Sequence, residues 1–333
     1  MLPAFGWQAV LTRWEFAPAV TAAVLAAGAL YLWGAWRVGR AHPARPWPWW
    51  RTGMFLAGLA VVVLATQSGI GAYDDVLFWD HMIQHLLLIM VAPPLLVVGQ
   101  PFTLLLHASR NPLHTWAKRV MRSRVLSFLT WPPFGFVAYV ATVVGTHLTG
   151  LTGLILRNQL LHNAEHVLYL VVGYLFFLPI VGREPIRWRL SYPIRLLVLV
   201  LAMPVDTFTG LVLGYAGTWF GNGTAGPRPP GSPGLVEDVH WAGATMWIAG
   251  DAIMLGFIML VMLMWSRDER PAAASAGWLE AVRRARFDDV VTAGSPAAGR
   301  GIDDDEHLAA YNDYLARLNS GGDSGGGHSG GAA

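Results

Sequence analysis

Two histidine pairs in this chain, His81/His85 and His162/His166, are each spaced four residues apart. On a helix that spacing stacks both imidazoles on one face, about 6 Å apart. Such a pair can ligate a metal ion or haem. Gln84 lies beside the first pair, while Met82 points to another face. Glu165 lies within the second pair, where it can orient an imidazole or offer an oxygen ligand. Neutral imidazole suits Cu(II), Zn and Fe, and thioether sulfur favours Cu(I). Read alone, either pair also fits a wet helix end whose imidazoles bond water or backbone. In the second pair, Asn163 and Glu165 would then help to cap the helix. The chain has no cysteine, which excludes disulfides and thiolate metal sites. Histidine, methionine and carboxylates remain as candidate ligands.

The elements that carry these residues are membrane spans. Hydrophobic residues make up 54% of the chain and charged residues only 13%, against about 25% charged in soluble proteins. Mean hydropathy is +0.43, and sixteen Trp and fourteen Phe suit membrane cores and interfacial belts. A net charge of +2 is too small to suggest nucleic-acid binding. A span needs about 20 mostly apolar residues, and seven stretches qualify: Phe16–Trp36, Thr52–Gly71, Phe78–Val98, Val125–Gly145, His162–Val181, Ile194–Tyr215 and His240–Trp265. The expected fold is an all-α polytopic membrane bundle of about seven transmembrane helices, in a bacterial plasma membrane. The first residues lack a basic stretch ahead of their apolar run and a clear cleavage site, so no signal peptide is read.

Loop charge orients the bundle. Arg37, Arg40, Arg45 and Arg51 precede the second span, and Arg110, Lys118, Arg119, Arg122 and Arg124 precede the fourth. Arg183, Arg187, Arg189 and Arg195 precede the sixth, and Arg267 and Arg270 follow the seventh. The other loops hold Asp74, Asp75, Asp80, Arg157, Arg228, Glu237 and Asp238. The positive-inside rule then puts the N-terminus outside and the C-terminus in the cytoplasm. In that orientation His81, His85, His147, His162, His166 and His240 all gather at the outer edge. His42, His107 and His114 fall on the cytoplasmic side, and His307 and His328 in the tail. Two pairs with His147 and His240 on one side favour a functional site over a set of wet helix ends. The basic loops also suit contact with anionic lipid.

Ala92-Pro93-Pro94 and Pro204 are expected to kink their helices. The outer loop Gly217–Gly234 is rich in Gly and Pro and reads as irregular. Residues 1–267 form the transmembrane domain and residues 268–333 a cytoplasmic tail. In the tail, Ala274–Val291 and Asp303–Leu318 carry helical patterns, and Ser320–Ala333 reads as disordered. Asp206 and Asp251 lie deeper in their spans, as part of an ion path or as helix–helix hydrogen bonds. Met203, Met246, Met254, Met259, Met262 and Met264 read mainly as packing residues, with Met203 and Met246 nearest the outer half.

The motifs also carry a resemblance. His81-Met82-x-x-His85, followed by Ala92-Pro93-Pro94-Leu95-Leu96-x-x-Gly99-x-Pro101, resembles the polytopic CtaG family of cytochrome c oxidase assembly factors. The likeness continues through His147, His162-x-x-Glu165-His166, Gly173 and Pro179 to Ser191-Tyr192-Pro193-x-Arg195 and Ala202-Met203-Pro204. It closes at Ala242-Gly243-x-x-Met246-Trp247, covering roughly residues 15–267. His240 stands where the resemblance leads one to expect glutamine or another polar residue. The resemblance implies a seven-helix protein that helps a haem–copper oxidase acquire copper, with oxidase subunits as partners.

Copper is therefore the expected metal. His81, His85, His162 and His166 are the expected ligands, His147 and His240 further candidates, and Glu165 an oxygen ligand or an orienting group. A site closed between two protomers of a homo-oligomer remains open. Two rival readings are a transporter that carries copper inward past Asp206 and Asp251, and a b-type cytochrome with haem between the third and fifth spans. No nucleotide motif or nucleophile–base signature points to an enzyme.

Overall fold

The computed structural model of the chain describes residues 7–215 and 228–291, together with Asn312. Most of the expected irregular loop, the Asp303–Leu318 pattern apart from Asn312, the Gly/Ser-rich end, His307 and His328 lie outside the described residues. Within them every regular element is helical: α1 (Trp7–Thr12), α2 (Pro18–Ala41), α3 (Trp49–Gln67), α4 (Gly69–Tyr73), α5 (Phe78–Leu86), a π-helical turn (Leu87–Val91), α6 (Ala92–Val98), α7 (Pro101–Ala108), α8 (Leu113–Met121), α9 (Arg124–Leu129), α10 (Pro132–His147), α11 (Leu151–Ile155), α12 (Gln159–Val181), α13 (Tyr192–Tyr215) and α14 (Leu235–Val291). Residues Met1–Leu263 form one compact unit and Met264–Ala333 a second. α14 begins in the first and ends in the second.

Among the described residues, six helices are long and apolar enough to cross a membrane. The fourth expected span, Val125–Gly145, is divided. Pro132 and Pro133 sit in the first turn of α10, where proline's missing N–H is tolerated, and α9 ends ahead of them. α10 keeps 16 residues, about 24 Å at 1.5 Å per residue, against a hydrocarbon core of about 30 Å.

The run Phe78–Ala108 is the centre of the bundle. Its most apolar stretch is 72% buried inside the protein, against 11% for α2 and 22% for α14. Large apolar side chains on the outer helices, such as Leu25, Leu30, Val200, Leu255 and Leu263, are exposed, as lipid-facing positions require.

The expected kink at Pro93-Pro94 takes the form of the π-helical turn that precedes it. Pro93 and Pro94 carry no N–H. The Ile89 carbonyl therefore has neither the usual donor four residues on nor the π-helical donor five residues on. Gly173 of α12 packs against that carbonyl. A Cβ at Gly173 would run into the Ile89 oxygen and lie 2.7 Å from Pro93 Cγ. The same small-residue logic joins α13 to α14: a Cβ at Gly210 would stand 2.7 Å from the Gly243 carbonyl oxygen. Pro204, by contrast, lies inside an uninterrupted α13.

α5 is anchored from α14. The Asp238 carboxylate accepts from the Phe78 and Trp79 backbone N–H groups at 3.1 Å each, and from the Arg228 guanidinium at 2.8 Å. These are the orphan donors of the α5 N-terminus, so a residue of the last span fixes where the His81/His85 helix begins.

Two predictions follow from this framework. Gly173→Val forces α12 away from the π-helical turn and lowers stability by about 1–3 kcal/mol, read as a lower unfolding midpoint of the detergent-purified protein. Asp238→Ala removes the cap of α5, worth about 0.5–2 kcal/mol, and strands Arg228. An unchanged midpoint in either variant would contradict the corresponding contact.

Candidate metal centre

Two helix starts bring the ligands together. α5 carries His81 in its first turn and His85 one turn further. α12 is capped by Asn158, whose side-chain oxygen accepts from the Leu160 and Leu161 N–H groups at 3.0 and 3.3 Å. The expected capping by Asn163 and Glu165 does not occur, because the helix starts earlier, at Gln159. Glu165 is thereby free to turn inward. α10 contributes His147 from its last residue.

His81, His85 and Glu165 form the inner group, with one ligand atom from each within 4.8 Å of the others. All three are buried. Glu165 Oε2 lies 3.4 Å from His85 Nε2 and 3.9 Å from His81 Nε2. The His81 and His85 rings meet edge to face at 4.1 Å between centroids, and Tyr169 stacks on His85 at 4.1 Å.

A hydrogen-bond relay assigns the His85 tautomer. Thr146 donates its hydroxyl to the Thr142 carbonyl at 2.7 Å, so Tyr169 must donate to Thr146 across their 2.6 Å contact. With both hydroxyl protons engaged, His147 Nδ1 is the donor to the Val143 carbonyl at 2.8 Å. His147 Nε2 is then a bare acceptor, and His85 Nδ1 donates to it at 3.2 Å. A neutral imidazole has one N–H, so His85 Nε2 carries a lone pair. It faces Glu165 Oε2, and neither atom has a hydrogen-bond partner. Two buried acceptors aimed at one another without a donor are costly. A shared proton or a metal cation between them resolves the conflict. His81 Nδ1 is also buried without a hydrogen bond.

Asp74, His162 and His166 form an adjacent outer group, again with ligand atoms within 4.8 Å. His162 Nε2 lies 3.6 Å from Asp74 Oδ2, and its Nδ1 lies 3.2 Å from Asp75 Oδ1. Burial pushes the Asp74 carboxyl up to about 7; Asp75 adds to the rise, while His162 and a bond from Gln84 oppose it. The groups share a wall, with the His81 and His162 rings 5.3 Å apart.

The sequence placed His81, His85, His162 and His166 in one convergence, and the structure sorts them into these two groups. His147 stands behind His85 with both nitrogens engaged, as an orienting residue rather than a free ligand. His240 is not brought in: its exposed ring bonds the Gly214 carbonyl at 3.0 Å, because it occupies an outward face of α14. Asp206 accepts from the Tyr139 hydroxyl at 2.8 and 2.9 Å, and Asp251 from Thr207 at 2.8 Å. Each thus makes a hydrogen bond between helices. Met246, Met82 and Met90 line a cavity with His85, His147 and Asp206. Asp74 was legible only as a loop charge, and its one signal was an acidic pair a few residues ahead of His81. Tyr169 and Thr146 gave no signal, since nothing in their spacing links them to a histidine on another helix.

The chain is 32% identical over 275 residues to an uncharacterised protein of Mycobacterium bovis and equally to one of Mycobacterium tuberculosis. Each match covers 80% of this chain and 41% of the relative. An uncharacterised protein of Mycobacterium leprae is 30% identical over 315 residues, 92% of this chain and 45% of that relative. The chain thus spans under half the length of the curated relatives it matches. No solved structure matches. The family model for the cytochrome c oxidase caa3 assembly factor matches residues 29–268. With that match running from the second helix to the last span and enclosing every residue of both groups, the chain belongs to the Caa3_CtaG family of assembly factors.

Proposed function

We propose that this chain binds copper at the extracytoplasmic edge of the plasma membrane and hands it to a subunit of a caa3-type cytochrome c oxidase during assembly. The observation that carries the reading is the unpaired facing of His85 Nε2 and Glu165 Oε2, with His81 completing the group. Two imidazoles and a carboxylate, with no thiolate anywhere in the chain, form a borderline donor set that accepts Cu(II) near the top of the divalent affinity order. Three protein donors leave coordination incomplete, so a partner's ligands can compete for the ion. His147 fixes the His85 ring from behind, as outer partners of metal-bound histidines do.

A copper transporter is the second reading. It is favoured by a small cavity whose lining brings His85, His147 and Asp206 together with three methionines. Metal uptake into sealed vesicles, lost in Asp206→Asn, supports transport; wild-type vesicles that take up none remove it. The b-type cytochrome is less well supported, because His85 is hydrogen-bonded to His147 and in ring contact with His81 and Tyr169, with no slot for a macrocycle. A purified protein without a Soret band excludes it.

The direct test replaces His85 with Ala and Glu165 with Gln together. The stably inserted variant is expected to lose bound copper by elemental analysis, and the host membranes to lose caa3-type oxidase activity. Retention of both sinks the proposal. His147→Ala leaves the His85 N–H without an acceptor and is expected to weaken copper binding about 10–100-fold. His147→Gln, which restores an acceptor oxygen, recovers part of that loss. Equal affinities for the two variants would show that the relay does not orient His85.

A further inference from the structure

We propose that Asp74, His162 and His166 form a second cation site, which takes a divalent transition-metal ion from the outer aqueous phase and passes it to the His81/His85/Glu165 group. This rests on the copper-binding reading above and adds a separate place and an order of occupation.

Gln84 supports the second site. Its amide nitrogen donates to the Ala65 carbonyl at 2.9 Å and to Asp74 Oδ2 at 2.6 Å. Those two bonds fix which end of the amide is which. Gln84 Oε1 therefore faces His166 Nε2 at 2.8 Å as an acceptor, and His166 must donate from Nε2. The lone pair of His166 then lies on Nδ1. His162 is held in a similar way. Asp75 Oδ1 stands beside its Nδ1, which leaves Nε2 turned toward Asp74. Neither His162 nitrogen makes a well-aligned hydrogen bond, and the residue is only 2% exposed. His166 thus has an amide oxygen on Nε2 and a lone pair on Nδ1, while His162 has a carboxylate beside each nitrogen, Asp75 at Nδ1 and Asp74 at Nε2; partners of this kind orient histidine toward a metal.

Order follows from access and contact. The Asp75 side chain beside His162 is 42% exposed and His166 is half-buried, so the outer group has a route to solvent, although the Asp74 and His162 side chains are themselves 6% and 2% exposed, like those of His81, His85 and Glu165 at 5% or less. His162 lies between Asp75 and His81, and its ring touches the rings of both His81 and His166. An ion leaving the outer group therefore meets the inner group without crossing lipid or bulk water. The exposed Asp75 carboxylate, with Asp74 when ionised, adds negative potential that draws a cation in.

The experiment counts copper(II) equivalents on the full chain in detergent, using wild type, Asp74→Asn and His85→Ala, with zinc(II) as a redox-silent probe. Two equivalents on wild type and one on each variant are expected, with the Asp74→Asn protein loading its remaining equivalent about tenfold or more slowly. One equivalent on wild type that survives Asp74→Asn overturns the second site and leaves the copper-binding reading intact. One equivalent lost in either variant means a single shared site and also overturns it. No bound metal on wild type overturns both. If Asp74→Asn does not fold, His166→Gln takes its place, with the same outcomes.

Discussion

The donation from His85 Nδ1 to His147 Nε2 is the contact on which the geometry of the buried histidine–glutamate group rests. It is set by an i,i−4 bond on α10, where the His147 ring finds the Val143 carbonyl, and it leaves the opposite nitrogen of His85 bare. Without it, His85 could satisfy Glu165 by donating a proton, and the pair would be an ordinary buried hydrogen bond. With it, His85 Nε2 and Glu165 Oε2 face each other as two buried acceptor atoms that need a shared proton or a metal cation between them.

Keeping that point in place needs three helices held to within fractions of an ångström, and the bundle does so with few devices. Asp238 caps α5 from α14. The proline pair in α6 frees a carbonyl, and Gly173 lets α12 close on it. Asn158 sets the α12 start about two turns ahead of Glu165. Each device supplies an orphan backbone donor with a partner or removes a side chain from a crowded crossing. In a membrane interior such terms decide packing, since lipid is as apolar as the side chains and burial alone does not favour one crossing over another.

The two neighbouring groups fit the proposed role of a metal carrier. A tight cage would hold its cargo, and an exposed pair would hold none. The Asp74/His162/His166 group lies against the exposed Asp75, with the His81/His85/Glu165 group beside it. The relatives are more than twice as long as the matched part of this chain.

Composition and loop charge were enough to read an all-α membrane bundle, because hydropathy over about 20 residues is a local property. The i,i+4 pairs and Glu165 were legible for the same reason: helical periodicity alone puts them on shared faces. The division of Val125–Gly145 followed a local rule too, though two prolines at a helix start are easily read as lying within a longer apolar run. What the chain order could not decide was which nitrogen of each histidine is free. That depends on carbonyls and hydroxyls from other turns and other helices: Val143, Thr142 and Thr146 for one group, Ala65 and Gln84 for the other. It also could not decide that Asp74 belongs with His162 and His166, or that His240 does not, since both outcomes turn on the rotation of α12 and α14 about their own axes. Hydropathy constrains that rotation weakly, and tertiary packing sets it.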